Sequence, residues 1–339
     1  MQVKISQAVR MITTAIKAKV TPMLHGSPGI GKSQIVFQIA EKYNLKVIDL
    51  RLSQCDPTDL AGFPQIDLAS QKAGYVPMDT FPLEDETPPP GYSGWLLFLD
   101  EANSAPRAVQ AAAYKIIHDR RVGQANLHQH CALVAAGNLE TDGAIVEEMS
   151  TALQSRMVHI ELMVDHTEWL EWALPNLKSH RITDYIKFKP GNLHTFKADH
   201  TDRTYACPRT WAFTDRFLEQ EDEDSPDLLP LLAGTISEGV AREFLVFCKI
   251  YASLLTIDQI TTNPSTIPVP VEPSILFAMT GLISHNILPT NADALLQFVV
   301  RLPVEFQVVC LRETVRKHKT MLTHPAVRKW IAENAVQLF

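Results

Sequence analysis

Residues 26–33 carry the clearest chemical signal in the chain, because their sequence, Gly-Ser-Pro-Gly-Ile-Gly-Lys-Ser, fills the spacing G-x-x-x-x-G-K-[ST]. Glycines let a loop turn so that its backbone N–H groups point inward at a polyphosphate. Lys32 is expected to reach the β- and γ-phosphates, and the hydroxyl of Ser33 is expected to bind Mg²⁺. The residues predicted to hold the nucleotide are Gly26, Ser27, Pro28, Gly29, Ile30, Gly31, Lys32 and Ser33.

The segments on either side of this loop match what a phosphate loop requires. Residues 20–25 form a short apolar run typical of a buried strand, and residues 33–43 have apolar residues at helical spacing. A helix that begins at the loop turns its positive end toward a bound anion. A glycine-rich turn that binds nothing is the alternative, and the strand, loop and helix in this order argue against it.

An acidic pair, Asp100-Glu101, follows the apolar run 95–99. Such a run predicts a central parallel strand that is buried on both faces. Carboxylates at its end are unfavourable unless they meet a cation or solvent. We expect Asp100 to hold Mg²⁺ through water and Glu101 to polarise the water that attacks the γ-phosphate. An acidic helix cap is the alternative, which the phosphate loop earlier in the chain disfavours.

Three further polar residues have positions that suit a nucleotide site. Asn138 follows a predicted strand, where an amide can hold the attacking water or the γ-phosphate; a turn asparagine is the alternative. Arg156 precedes another predicted strand and is expected to reach into a neighbouring subunit's site. Pro208 can start a helix that would direct Arg209 toward the phosphates. The predicted catalytic set is Glu101, Asn138, Arg156 and Arg209.

Composition limits the classes of protein that fit. The chain has 339 residues, 46% of them hydrophobic and 20% charged, and a net charge of −7. The acidic balance disfavours a protein that coats nucleic acid. The basic residues near the C-terminus are interpreted as a solvated helix face; they are Arg312, Arg316, Lys317, Lys319, Arg328 and Lys329. Five dispersed cysteines predict reduced thiols rather than zinc ligands or disulfides. We see no membrane-length apolar stretch and no signal-peptide core, so a cytoplasmic location is expected.

Residues 1–163 alternate predicted strands and helices, the pattern of a parallel sheet with helical crossovers. An insertion at 56–94, rich in proline and glycine, is expected to hold loop or hairpin rather than helix. A second region is predicted from residue 164, and residues 221–339 are expected to be mostly helical. The five predicted strands are 20–25, 45–52, 95–99, 132–136 and 158–162.

The predicted site residues occur in the order and approximate spacing of the AAA+ ATPases, a resemblance that covers residues 1 to about 215. Two stretches resemble the MoxR-like branch of that family. Residues 59–64 read Asp-Leu-Ala-Gly-Phe-Pro, and residues 99–122 begin with Leu-Asp-Glu-Ala-Asn and end with Asp-Arg-Arg-Val. Residues 221–339 match no family pattern that we can name.

The resemblance implies an α/β fold with an αβα AAA+ phosphate-loop core and a five-stranded parallel sheet of order 5-1-4-3-2. This core is 1–163, followed by a helical lid that starts within 164–220 and carries Arg209 as its sensor, and by an α-helical C-terminal region. ATP and Mg²⁺ are the implied cofactors, with Ser33 and Asp100 as the metal-binding residues. A ring of six identical subunits is also implied, as are a protein substrate and a partner that contains a von Willebrand factor A domain.

The sequence therefore favours a ring ATPase that hydrolyses ATP to ADP and phosphate and remodels or activates another protein. Two other functions stay open. One is a DNA-directed AAA+ ATPase, such as a helicase loader or replication factor, which the acidic charge and the absence of an evident DNA-binding module disfavour. The other is a nucleotide-gated assembly scaffold, which need not keep both Asp100 and Glu101.

Overall fold

The structure is a computed structural model that describes residues 1–67, 71–142, 149–222, 224–252 and 254–333. The chain divides into two compact units, one formed by Met1–Trp169 with Phe196–Thr201 and the other by Leu170–Thr195 with Asp202–Phe339. The predicted division of the chain at residue 163 stays a prediction. None of the helices in the described part of the chain combines the length and the apolar character needed to cross a bilayer.

The first unit alternates strands and helices, as the sequence predicts. Its elements are β1 (Gln2–Val3), α1 (Ile5–Lys17), β2 (Thr21–His25), α2 (Lys32–Lys42), β3 (Leu45–Arg51), α3 (Pro57–Ala61), β4 (Phe63–Asp67), β5 (Lys72–Val76), β6 (Gly94–Asp100), α4 (Arg107–Asp119), β7 (Arg121–Val122), β8 (Ala125–Asn126), β9 (Cys131–Gly137), α5 (Thr151–Gln154) and β10 (Met157–Leu162). The division between the units falls within α6 (His166–Asn176).

The main sheet is parallel throughout and has the strand order β1-β10-β2-β9-β6-β3. Its last five strands are the five predicted ones, so the order 5-1-4-3-2 is confirmed. The structure adds a sixth strand, β1, which pairs with β10 through Gln2 and Val3. Two residues are too short a segment to show a strand periodicity, which is why the sequence predicts five strands instead of six.

Strand β6 explains how the sheet holds a helical layer on each face. Six of its seven residues are buried, and alternate side chains point to opposite faces. Leu96 and Phe98 join a cluster with residues of α1 and α2, whereas Leu97 and Leu99 join a cluster with residues of α4. The result is the predicted three-layer αβα arrangement, with the carboxyl ends of the strands free to carry polar residues.

The insertion at 56–94 contains a short helix and a hairpin. Helix α3 begins at Pro57, and the backbone N–H of Asp56 donates to the carboxylate of Asp59 at 2.8 Å in a capping box. Strands β4 and β5 then pair as an antiparallel hairpin. Gly62 allows this arrangement, because its φ is +88° and a Cβ there would lie 2.3 Å from the carbonyl oxygen of Val76. The predicted hairpin is therefore present, together with one helical turn more than expected.

The described part of the second unit is mostly helical, as predicted. An aromatic cluster of Tyr185, Trp211 and Phe244 lies in its core, where the indole N–H of Trp211 donates to the carbonyl of Asn192 at 2.9 Å. Its helices after α6 are α7 (His180–Phe188), α8 (Pro208–Gln220), α9 (Leu228–Ile236), α10 (Glu238–Ala252), α11 (Ile257–Thr262), α12 (Pro273–Asn286), α13 (Ala292–Val299), α14 (Val304–Lys317) and α15 (Pro325–Glu333).

A buried ion pair group joins α7 to α14 in this unit. The ammonium of Lys187 lies 3.2 Å from Asp184 and 2.9 Å from Glu313. All three side chains are at most 12% exposed. Lys187→Met is expected to destabilise the fold by about 3–5 kcal/mol, because it removes the ammonium that contacts both buried carboxylates. Urea unfolding at pH 7 measures this loss.

Lys178→Met is the matched control, since Lys178 pairs with Glu219 but is 75% exposed. It is expected to change the free energy of unfolding by less than about 1 kcal/mol. Equal losses for the two variants would contradict the assignment of the Lys187 group as a structural feature of the core.

Candidate functional site

The phosphate loop connects β2 to α2. The structure shows why each of its three positions Gly26, Gly29 and Gly31 requires glycine. Gly29 and Gly31 have φ values of +79° and +102°, in the left-handed region that disfavours other residues. At Gly26 a Cβ would lie 2.4 Å from the Cδ1 atom of Ile30. The loop therefore needs its glycines for its own backbone path, and α2 begins directly after Gly31.

Lys32 links the loop to the neighbouring strand. Its ammonium donates to the carbonyls of Gly26 at 2.5 Å and Ser27 at 3.2 Å, and to the side-chain oxygen of Asn138 at 3.0 Å. Asn138 directly follows β9, which pairs with β2. The structure thus brings together two residues that the sequence predicts for one site. A cation surrounded by oxygen acceptors can exchange them for phosphate oxygens.

A second asparagine, to which the sequence analysis assigns no role, fixes Asn138 in place. The side-chain amide of Asn103 donates to the carbonyl of Asn138 at 2.7 Å, and its oxygen accepts from the N–H of Asn138 at 3.1 Å. Asn103 is buried. Its oxygen comes so close to Gly137 that a Cβ there would lie 2.1 Å away. The signal available in the sequence was an asparagine shortly after the acidic pair.

The predicted metal residues also meet. The hydroxyl of Ser33 donates to one oxygen of Asp100 at 3.1 Å, and the N–H of Glu101 donates to the other at 2.9 Å. Hydroxyl and carboxylate oxygens are ligands that suit Mg²⁺, which usually keeps several waters and takes phosphate oxygens as well. Among the described residues no group of three or more His, Cys, Asp or Glu could hold a metal ion. The pair fits a nucleotide-bound Mg²⁺ rather than an all-protein metal cage.

Strand β3 contributes Asp49, a third carboxylate in addition to those of Asp100 and Glu101. Burial raises the pKa of Asp49, and the charges of Asp100 and Glu101 raise it further against the opposing effect of Arg51. A carboxylate whose protonation is favoured by its acidic neighbours marks a region of negative potential. This end of the sheet is therefore favourable for a cation, although no pattern in the sequence distinguishes Asp49 from other acidic residues.

Glu101 is held by a residue that the sequence analysis did not identify. The hydroxyl of Ser53, in the turn after β3, donates to Oε2 of Glu101. Glu101 has a φ of +56°, an uncommon value for a residue other than glycine and one that tends to occur at functional sites. The carboxylate predicted to polarise water thus has a hydrogen-bond donor already in contact with it.

Arg156 lies at the amino end of β10, whereas the phosphate loop follows the carboxyl end of β2. It directly precedes β10, whose first residue, Met157, is in register with Thr21 at the start of β2. At about 3.3 Å per residue, the four steps from Thr21 to His25 separate this position from the phosphate loop by about 13 Å along the strand. Arg156 donates to the carbonyl of Ala152 at 2.7 Å, so the structure does not bring it to the phosphate loop of its own subunit.

Arg209 is the second residue of α8, in the second unit, and its side chain is exposed. Helix α8 begins at Pro208, as predicted. The hydroxyl of Thr210 accepts from the N–H of Cys207 at 2.8 Å and helps to cap the helix. The predicted contact between Arg209 and the phosphates stays a prediction.

Comparisons with known proteins agree with this architecture. Residues 22–157 match the family described as the AAA domain, dynein-related subfamily. No curated protein sequence matches the chain. The match covers 22–157, less than half of the chain, and shows that this segment is similar to an AAA domain. The parallel sheet and its strand order are consistent with that similarity.

Solved structures with similar folds have low sequence identity to this chain. One is a candidate ATPase from Cytophaga hutchinsonii, with 13% identity, a TM-score of 0.38, and coverage of 86% of this chain and 80% of that one. Two others are variants of RuvB from Thermotoga maritima. They have 16% and 17% identity and TM-scores of 0.41 and 0.36, and cover 81% and 85% of this chain and 89% and 84% of theirs. These similarities are too distant to bear on function.

Proposed function

We propose that this chain, whose residues 22–157 are similar to an AAA domain, is an ATP-hydrolysing ring ATPase of the MoxR-like branch that remodels or activates a partner protein. The observation that carries the proposal is the hydrogen-bonded set at the carboxyl ends of β2, β6 and β9. In this set Lys32 contacts Asn138, and the hydroxyl of Ser33 contacts Asp100. A glycine-rich turn that bound nothing would not gather a cation, an amide and a metal-binding pair at one place.

The residues of this set have distinct tasks in hydrolysis. The loop N–H groups and Lys32 bind the β- and γ-phosphates, and Ser33 with Asp100 would hold Mg²⁺. When bound, Mg²⁺ neutralises charge on the phosphate oxygens. Glu101 accepts a hydrogen bond from the attacking water and orients it toward the γ-phosphate. Asn138, fixed by Asn103, holds that water or the γ-phosphate itself.

The position of Arg156 supports assembly from several copies of the chain. Arg156 lies at the amino ends of the strands and the phosphate loop at their carboxyl ends, so Arg156 would complete the site of a neighbouring subunit. Arg209 would act in its own subunit. Head-to-tail contacts of this kind close into rings. We propose a homohexamer with a protein substrate and a partner that contains a von Willebrand factor A domain, following the MoxR-like resemblance.

Lys32→Ala tests the nucleotide site directly. We expect at least about tenfold weaker binding of a fluorescent ATP analogue and no detectable hydrolysis, because the variant removes the charge that serves the phosphates. Lys42→Ala, an exposed residue of the same helix, is the control and is expected to behave as wild type. Unchanged binding by Lys32→Ala would refute the assignment.

Two measurements on the wild-type protein separate the other functions. Binding of ATP without turnover would favour the nucleotide-gated assembly scaffold. Tight, salt-dependent binding of DNA would favour the DNA-directed ATPase, because phosphate contacts release counterions and weaken as salt increases.

Ser53→Ala is expected to raise basal turnover about two- to tenfold with an unchanged KM for ATP. The hydroxyl of Ser53 occupies Oε2 of Glu101, and its removal frees that oxygen to accept a hydrogen bond from the attacking water. Steady-state kinetics measure the effect. Ser93→Ala removes an exposed hydroxyl just before β6 and is the control. A fall in kcat for Ser53→Ala would mean that Ser53 instead holds Glu101 in its working position.

A further inference from the structure

Two histidines connect the end of β2 to β10. His25 is the last residue of β2 and directly precedes Gly26. Its Nε2 atom lies 2.8 Å from Nδ1 of His159, which lies on β10. The ring centroids are 5.1 Å apart and the ring planes differ by 24°, so each nitrogen can lie near the plane of the facing ring. This geometry suits an N–H···N hydrogen bond.

The second nitrogen of His159 continues the connection to the turn that carries Arg156. Nε2 of His159 lies 2.9 Å from the carbonyl oxygen of Gln154, the last residue of α5. Arg156 follows two residues later and donates to the carbonyl of Ala152 in the same turn at 2.7 Å. A continuous series of hydrogen bonds therefore runs from the residue before the phosphate loop to the turn that presents Arg156.

The chemistry of the partners fixes the direction of each bond in this series. A carbonyl oxygen only accepts, so Nε2 of His159 must carry the hydrogen. In a neutral ring Nδ1 of His159 is then the acceptor, and Nε2 of His25 must donate to it. The opposite tautomer of His25 loses the bond between the rings, and the opposite tautomer of His159 loses the bond to Gln154 as well. The pair therefore has one arrangement of neutral tautomers that satisfies both contacts.

The surroundings keep His25 in the neutral form that this arrangement requires. Burial and, to a smaller extent, the charges of His159 and Lys32 together lower the pKa of His25 to about 4, against the opposing effect of Glu161. At pH 7 His25 is therefore uncharged.

We propose that the His25–His159 pair is a positioning element that ties the turn bearing Arg156 to the phosphate loop of the same subunit, and so places the arginine that completes the neighbouring site. The proposal rests on the proposed action of Arg156 across the subunit interface. Neither histidine touches the nucleotide that Arg156 serves. Loss of the pair should thus reduce kcat at the neighbouring site and leave the KM of that site for ATP unchanged.

Rings mixed from two inactive variants test this proposal. Lys32→Ala subunits do not hydrolyse ATP but can offer Arg156, whereas Arg156→Ala subunits keep the nucleotide site. All turnover above the two parents then comes from an Arg156→Ala site beside a Lys32→Ala neighbour. We expect His159→Phe to reduce this turnover at least fivefold when it is placed in the Lys32→Ala subunit, and less than twofold when it is placed in the Arg156→Ala subunit.

Three further variants, all placed in the Lys32→Ala subunit, separate positioning from folding. His159→Gln keeps a donor for Gln154 and an acceptor for His25, and is expected to restore at least half of the turnover. Val158→Ala, on the same strand and 38% exposed, is expected to have no effect. His25→Phe breaks the series at its other end and is expected to reproduce the defect. Damage to the subunit's own nucleotide site cannot cause this defect, because Lys32→Ala has already inactivated that site.

Each outcome supports or overturns the proposal. Equal losses from both placements of His159→Phe, or no loss from either, would overturn it, as would failure of His159→Gln to restore activity. If His159→Phe subunits do not enter rings, the His25→Phe result decides. If rings form without the histidine changes and show no turnover above the parents, the action of Arg156 across the interface fails, and the positioning role fails with it.

Discussion

Glu101→Gln is expected to bind ATP with wild-type affinity and to lose at least about a hundredfold in kcat, since general-base and water-orienting groups contribute typically 10²–10⁴-fold. The amide keeps the shape of the side chain and can still accept from the hydroxyl of Ser53. It lacks the negative charge that polarises water. Because bound ATP is not consumed, the variant should also hold its assembled ring longer.

Single-turnover hydrolysis and equilibrium binding together measure this prediction. Glu86→Gln is the matched control, because Glu86 is an exposed carboxylate in the same unit and lies outside the proposed site. A decrease in kcat of less than tenfold would assign water activation to another residue, and Asp119 is the first to test. Weaker ATP binding would instead show that Glu101 holds the phosphate loop in shape.

The sequence predicted those parts of the fold that depend on local patterns. The apolar run 95–99 indicated a strand buried on both faces, and β6 is that strand. Glycines at loop positions with positive φ are local requirements too, so the phosphate loop could be located from its residue types alone. The strand order came from the family resemblance, and the register of the parallel strands agrees with it.

The contacts that the sequence could not supply join residues that are distant in the chain. Ser53 and Glu101 are 48 residues apart, and Asn103 and Asn138 are 35 residues apart. Serine and asparagine are common in turns, so neither type alone indicates a role. Each becomes recognisable only after the carboxyl ends of β3, β6 and β9 have been brought to one edge of the sheet.

The paired histidines and the buried charges are also distant from their partners in the chain. His25 and His159 lie 134 residues apart and have no spacing typical of a metal site, so the sequence analysis gives them no function. Lys187 and Glu313 are separated by 126 residues, and nothing local marks them as partners. The packing of helices and strands determines which of these distant residues come into contact. The chemistry of the side chains then determines whether a contact stabilises the fold or positions another group.

The geometry of Arg156 allows two roles that give different results when it is removed. Its guanidinium lies 4.8 Å from the ring centroid of Tyr114 and donates to the carbonyl of Ala152, contacts that stabilise the turn before β10. A purely structural arginine would lower the thermal stability when removed and affect every property of the subunit. An arginine that serves a neighbouring site would affect kcat and leave ATP affinity unchanged.

Arg156→Ala is expected to retain ATP affinity and to lose about 10³-fold in kcat, the magnitude typical of an arginine supplied across an interface. Mixing with Lys32→Ala subunits should restore turnover, because in a random ring about a quarter of the interfaces pair an intact nucleotide site with an intact arginine. Two defects in one site could not complement each other. Arg10→Ala, an exposed arginine of α1, should neither lose activity nor need rescue.

Co-purification of differently tagged subunits shows whether the mixed rings form, and the ATPase rate of those rings then decides between the roles. If the rings form and their turnover does not exceed that of the parents, Arg156 acts within its own subunit. Its contacts with Tyr114 and Ala152 would then make it a structural residue that caps β10. A lowered Tm of Arg156→Ala would accompany that result. Restored turnover requires a site built from two copies of the chain, because neither parent contains all of its parts.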